Sequence, residues 1–115
     1  MNKRAVDLMQ GTLEVLILRA LAGDPMHGYG IAQWLRTRTD GALQVQDAAL
    51  YQALRRMERK GWAEAEWGVS ENNRRARYYA LTPVGRAQLR TETVAWQRYA
   101  EAMFKVLTPP PGESA

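Results

Sequence analysis

The chain has 115 residues, 46% hydrophobic and 24% charged, a balance that can bury one core and excludes a disordered polypeptide. Sixteen Lys and Arg against twelve Asp and Glu leave a net charge of +4, and thirteen of the sixteen bases are arginine, the better fork for phosphates and guanine edges. There is no cysteine and a single histidine, which removes disulfides and cysteine nucleophiles and makes a metal centre or other cofactor unexpected.

Residues 1–7 read as a polar arm. From Leu8 the pattern turns helical, and Leu13, Leu16, Ile17, Ala20 and Leu21 fall at i, i+3, i+4, i+7 and i+8, one apolar face. Gly23-Asp24-Pro25 stops this helix, because proline cannot continue it. A second helix is expected from Gly28 to Arg38, with Tyr29, Ile31, Ala32 and Leu35 on its buried side. Gly28 and Gly30 are poor helix residues, and close approach to a neighbouring helix would explain both. His27, just before them, is expected to cap or pack, since no nucleophile motif accompanies it. Asp40-Gly41 marks a turn.

The third helix is expected to be capped by Asp47 and to run to Lys60, with Gly61 as its stop. Leu50, Leu54 and Met57 form its inner stripe, and Tyr51, Gln52, Arg55, Arg56 and Arg59 its outer face. Residues 62–67 alternate, with an aromatic at each end, and read as a strand. A seven-residue polar connector, 68–74, leads to a returning strand at 75–81. Thr82 and Pro83 are a strong start signal for a last helix reaching Leu107. Within it Leu89, Thr93, Trp96, Ala100, Met103 and Leu107 are spaced 4, 3, 4, 3, 4, an a/d seam. Residues 108–115 are a Pro-rich tail, expected to be disordered.

Three helices, a hairpin and a long final helix predict a mainly α fold with a small β-hairpin. The arrangement is that of a winged helix-turn-helix over residues 8–81 followed by a pairing helix over 82–107. In that fold the third helix reads the major groove. A charged helix face is often just solvated, but this one directly precedes a hairpin whose tip carries Asn73, Arg74 and Arg75. Those residues suit phosphate and minor-groove contacts, unless the arginines are spent on Glu64, Glu66 and Glu71. Tyr51, Gln52 and Arg55 are the expected base readers, and Arg56 and Arg59 the expected phosphate contacts. The last helix, about 26 residues or roughly 39 Å long, exceeds what so small a domain can cover. Burying its large seam side chains is worth about 1.5–3 kcal/mol each, which favours a second copy of the chain. Thr93 and Ala100 are small and flank Trp96, so two indoles could frame a gap for a flat aromatic effector.

The stretch Met26-His27-Gly28-Tyr29-Gly30-Ile31, the helix from Leu50-Tyr51 to Lys60-Gly61, and Asn72-Asn73-Arg74-Arg75 through Leu81-Thr82-Pro83-Val84-Gly85 together resemble the PadR family of bacterial transcriptional regulators. The match spans about residues 8–107. The resemblance implies a homodimeric, DNA-binding repressor that acts on a palindromic operator, and many members answer to aromatic small molecules. Two positions depart from the family's habit: Ala49 stands where Ser is common before the Leu-Tyr pair, and Gln52 where Pro is common after it. Gln can bond adenine bidentately, so a different base preference is expected. A winged-helix protein-interaction module is the rival reading, and the basic outer face argues against it. A small hydrolase lacks its cysteine and most of its histidines. With no run of about 18 apolar residues and no leader pattern, a cytoplasmic protein is expected.

Overall fold

The computed structural model describes residues 11–113. The expected arm, the Leu8 start of the first helix and residues 114–115 of the tail lie outside these. The elements run α1 (Thr12–Ala20), β1 (Met26–His27), α2 (Gly28–Arg38), α3 (Asp47–Arg59), β2 (Ala63–Val69), β3 (Arg75–Leu81) and α4 (Pro83–Leu107). The three strands form one antiparallel sheet in the order β1-β3-β2. Among the described residues, no helix is long and apolar enough to cross a membrane.

The core is made where α1, α2 and α3 converge on the sheet. Ile17, Leu18 and Leu21 of the first layer meet Ile31 and Leu35 of α2 and Leu50, Leu54 and Met57 of α3, all essentially sealed from solvent. Ala63 and Tyr79 close it from the strands. The expected face of α1 was one residue off in places: Leu18 is buried, while Leu16 is only partly covered. On α2 the buried positions are Gly28, Ile31 and Leu35. Tyr29, expected inside, is 66% exposed. The reason is steric: the inward position at the start of α2 is already filled by a ring from α3. A Cβ on Gly28 would collide with the Tyr51 Oη and lie 2.6 Å from its Cζ. Gly30 has a different neighbour from the helix expected for it, since the nearest atoms to its Cβ position belong to His27 and Met26.

Three more boundaries shift. Gln46, not Asp47, is the N-cap of α3, and Asp47 sits in the first turn, where its carboxylate faces the helix's positive end. The strands pair out to Val69 and Arg75, so the wing tip is the five residues 70–74 rather than seven. β1 was not expected; it adds His27 and Met26 to β3 opposite Tyr78 and Tyr79. The tail is described through Glu113, whose N–H closes a turn on the Pro110 carbonyl at 3.0 Å.

One backbone crossing joins the end of α3 to the start of α4. The Thr82 N–H donates to the Trp62 carbonyl at 3.0 Å, and the Thr82 hydroxyl donates to the Gly61 carbonyl at 2.6 Å. The same hydroxyl oxygen accepts from the Gly85 N–H at 3.0 Å, which is the N-cap of α4. Gly85 then rests on the Trp62 peptide: a Cβ there would overlap the carbonyl oxygen and lie 3.0 Å from its carbon. From this point α4 packs on α1 and β3, with Leu89 against the core, and then extends the molecule to 58 Å in its longest dimension. Because backbone cannot yield as a flexible side chain does, Gly85→Ala should lower unfolding free energy by about 2 kcal/mol or more. Urea denaturation measures it, and an unchanged midpoint would show that the crossing has slack.

Candidate nucleic-acid interface

α3 presents two faces because its apolar residues recur at helical spacing. With Leu50, Leu54 and Met57 turned inward, Tyr51, Arg55 and Arg59 recur every fourth residue and share one outward stripe. All three are exposed, as is Gln52 beside them. Arg56 goes elsewhere. Its Nε lies 3.5 Å from Glu14 Oε2, and the Lys60 ammonium reaches the same oxygen at 2.9 Å. The Glu14 side chain is only 8% exposed, a buried charge on α1 that sits where it does because two cations from α3 neutralise it. Arg56, expected among the phosphate contacts, thus has a carboxylate partner on α1, while 41% of its side chain stays exposed.

The wing follows the same logic of paired and unpaired arginines. Arg77 Nη2 meets Glu58 Oε2 at 3.0 Å, tying β3 to α3. Arg75 lies over the exposed Trp67 ring, its Cζ 4.3 Å from the centroid, a stacking that orders the guanidinium without cancelling its charge. The expected partners Glu64, Glu66 and Glu71 do not pair with these arginines. Among the described residues, Arg55, Arg59, Arg74 and Arg75 make no ion pair with a carboxylate. Asn73 turns the tip in the left-handed region, φ 59°, which asparagine tolerates better than most side chains. The Ser70 N–H donates to the Arg74 carbonyl at 2.8 Å, and the Asn73 N–H to the Ser70 carbonyl at 2.9 Å.

Between the wing and the start of α2 lies an open groove of about 840 Å³. Tyr29, Gln33 and Tyr51 line one side, and Trp67, Arg74 and Arg75 the other. The sequence reading missed Tyr29 and Gln33 as groove residues, because Tyr29 was placed in the core. Their positions four apart on a helix that opens beside a wing were the available signal; the Gln33 amide donates to the Tyr29 Oη at 3.1 Å. His27 stands at the inner end. Its Nδ1 accepts the Gly30 N–H at 3.0 Å and caps α2, as expected of a structural histidine. Its Nε2 lies 3.1 Å from the Glu71 carboxylate on the wing tip. The Glu71 backbone N–H, and after it the His27 ring, hold this carboxyl below the usual carboxylate range.

The seam of α4 splits in two. Leu89 packs on its own domain, and Thr93 bonds the Leu89 carbonyl through its hydroxyl at 2.7 Å. Trp96 and Ala100 are half-buried, and Trp96 meets Tyr99 edge-on at 5.5 Å. Met103 and Leu107 are exposed, together with Tyr99 and Phe104, which the a/d spacing did not include.

Residues 17–91 match the family described as Transcriptional regulator PadR-like. The chain belongs to this family. An uncharacterized protein of Lysinibacillus sphaericus is 32% identical to this PadR-like chain over 95 residues, 83% of one and 87% of the other. A transcriptional regulator from Clostridium thermocellum has a similar structure, with a TM-score of 0.75 at 27% identity over 84% of this chain and 90% of its own. A PadR family transcription regulator from Clostridium difficile gives 0.73 at 28% identity, over 84% and 99%. The winged-helix architecture with a long C-terminal helix is thus that of PadR-like transcriptional regulators, which are DNA-binding proteins and not enzymes.

The Glu14 arrangement generates a test of its own. Replacing the carboxylate by an isosteric amide leaves Lys60 and Arg56 facing an uncharged group, but both remain partly in water. Glu14→Gln should cost about 1–3 kcal/mol of unfolding free energy, below the figure for breaking a fully sealed pair. Thermal and urea unfolding of the variant measure the loss, and wild-type stability would mean the triad contributes nothing.

Proposed function

We propose that this PadR-like regulator is a homodimeric repressor that binds a palindromic operator in duplex DNA. The observation that carries the reading is that, among the described residues, four guanidiniums of α3 and the wing have no carboxylate partner and lie side by side on one face. Arg55 and Arg59 lie on the outward stripe of α3, and Arg74 and Arg75 on the wing beside it. Cations with neutralised partners, Arg56, Lys60 and Arg77, instead hold elements together. Tyr51, Gln52 and Arg55, neighbours on the outward side of α3, are the base readers, Gln to adenine and Arg to guanine. Arg59, with Asn73, Arg74 and Arg75 of the wing, takes phosphates. Tyr29 and Gln33 supply further hydrogen-bond donors on the opposite wall of the groove.

Pairing uses the free half of α4. Tyr99, Met103, Phe104 and Leu107 offer more apolar surface than an isolated helix end keeps in water without cost. Two copies joined there would set the distance between two reading helices, which is how a two-fold protein selects a palindrome. Trp96 with Tyr99 forms an aromatic corner at the inner end of that surface. A small planar aromatic compound that wedges there would change the angle between the two arms, and this is the route we infer for effector release.

If Arg59, Arg74 and Arg75 contact phosphates, a dimer neutralises about 6 of them, and log affinity should fall against log salt with a slope of roughly −5. On operator against scrambled duplex, Gln52→Ala should lose about 1–3 kcal/mol of discrimination, while Arg74→Ala with Arg75→Ala should weaken both duplexes alike. Binding that is flat with salt would falsify the contact set and leave the protein-interaction reading in its place. In sedimentation at micromolar protein, the wild type should run as a dimer and Met103→Asp with Phe104→Asp as a monomer. A monomeric wild type would rule out the pairing.

A further inference from the structure

We propose that the Glu71 carboxylate is an internal stand-in for a DNA backbone phosphate. In the free protein it occupies the His27 Nε2 donor, and duplex binding exchanges it for a phosphate oxygen. The inference rests on the DNA-binding reading above and assigns a phosphate-binding residue, His27, and a competing one, Glu71.

The geometry fixes what His27 offers. Its Nδ1 is committed as an acceptor to the Gly30 N–H, so the neutral ring carries its hydrogen on Nε2. Pairing of β1 with β3 at His27 and Tyr78, and the edge-on contact of the two rings at 5.2 Å, keep that N–H aimed into the groove. The donor side is thus preformed, with 13% of the side chain exposed. Its partner is the reverse: the Glu71 side chain is 81% exposed and sits on the five-residue tip.

The tip does not need this bond for its shape. The Ser70 and Arg74 backbones are already paired, the Asn73 N–H is satisfied by Ser70, and the Ser70 hydroxyl oxygen accepts the Arg74 N–H at 3.3 Å. What the carboxylate does is place a negative charge in a groove whose other charged lining residues are Arg74, Arg75 and the Glu58-paired Arg77. That is an anion on an anion site. When a phosphate arrives, two like charges cannot share the N–H, and the solvated, tip-borne carboxylate is the one free to leave. The exchange involves hydrogen bonds only, and the donor count at His27 is unchanged. Glu71 thereby lowers the affinity of the protein for any duplex, whatever its sequence.

Glu71→Gln keeps an oxygen that can accept from His27 and removes the charge. Glu71→Ala removes both, and Glu66→Gln makes the same charge change outside the groove. Each full-length variant is titrated against a short mixed-sequence duplex at fixed low salt. Glu71→Gln and Glu71→Ala should both bind about three- to tenfold more tightly than wild type, with Glu66→Gln moving much less. Weaker binding by Glu71→Ala with wild-type binding by Glu71→Gln would make the contact a wing-positioning bond and overturn the proposal. Equal gains in all three variants would reduce it to net charge and overturn it as well. Wild type and variants that all fail to bind DNA would sink the DNA-binding reading itself, an outcome distinct from wild type that binds and variants that do not differ from it.

Discussion

Four elements meet at one peptide. The Trp62 carbonyl takes the Thr82 N–H and is covered by Gly85, while Thr82 ties back to Gly61. The end of α3, both strands of the wing and the start of α4 therefore share a single anchoring point. A residue with a Cβ at position 85 could not pass so close. The reading helix candidate, the hairpin beside it and the long arm are held in one relation by these hydrogen bonds as well as by the shared core, and backbone geometry tolerates little adjustment.

Carboxylates then separate the arginines of α3 and the wing. A basic surface read from sequence is an average over cations, but the folded chain separates them. Glu14 draws Arg56 and Lys60 toward α1, and Glu58 draws Arg77 toward α3. The unpaired arginines of α3 and the wing, Arg55, Arg59, Arg74 and Arg75, sit on two elements whose relative position those same ion pairs help to fix. A paired and an unpaired arginine thus stand on a single helix, Arg56 and Arg55, one position apart and about 100° around the axis.

Much of this was legible beforehand. The start of α4 was plain because Thr82 and Pro83 solve a helix N-terminus chemically, and the inner stripe of α3 because three large apolar residues recur at helical spacing. Tyr29 was misplaced because periodicity assigns the inward position to the largest nearby apolar residue, whereas here a ring from α3 fills it and a glycine makes room. β1 escaped because two residues carry no alternation. Arg56 looked like its neighbours because nothing local reveals that Glu14, 42 positions earlier, is buried opposite it. Exposed Phe104 and Tyr99 fell outside a strict 4-3 spacing, because an apolar stripe on a helix is wider than its a and d positions.

The outward cations are all arginines, and the described lysines are not among them: Lys60 is paired with Glu14 and Lys105 lies near the far end of α4. Acylation silences lysine by removing its charge but has no purchase on a guanidinium. The charge of this surface is therefore out of reach of lysine acylation, whether enzymatic or by reactive metabolites. An acyl group on Lys60 would act on the fold instead, by leaving Glu14 with a weaker counter-charge in the interior.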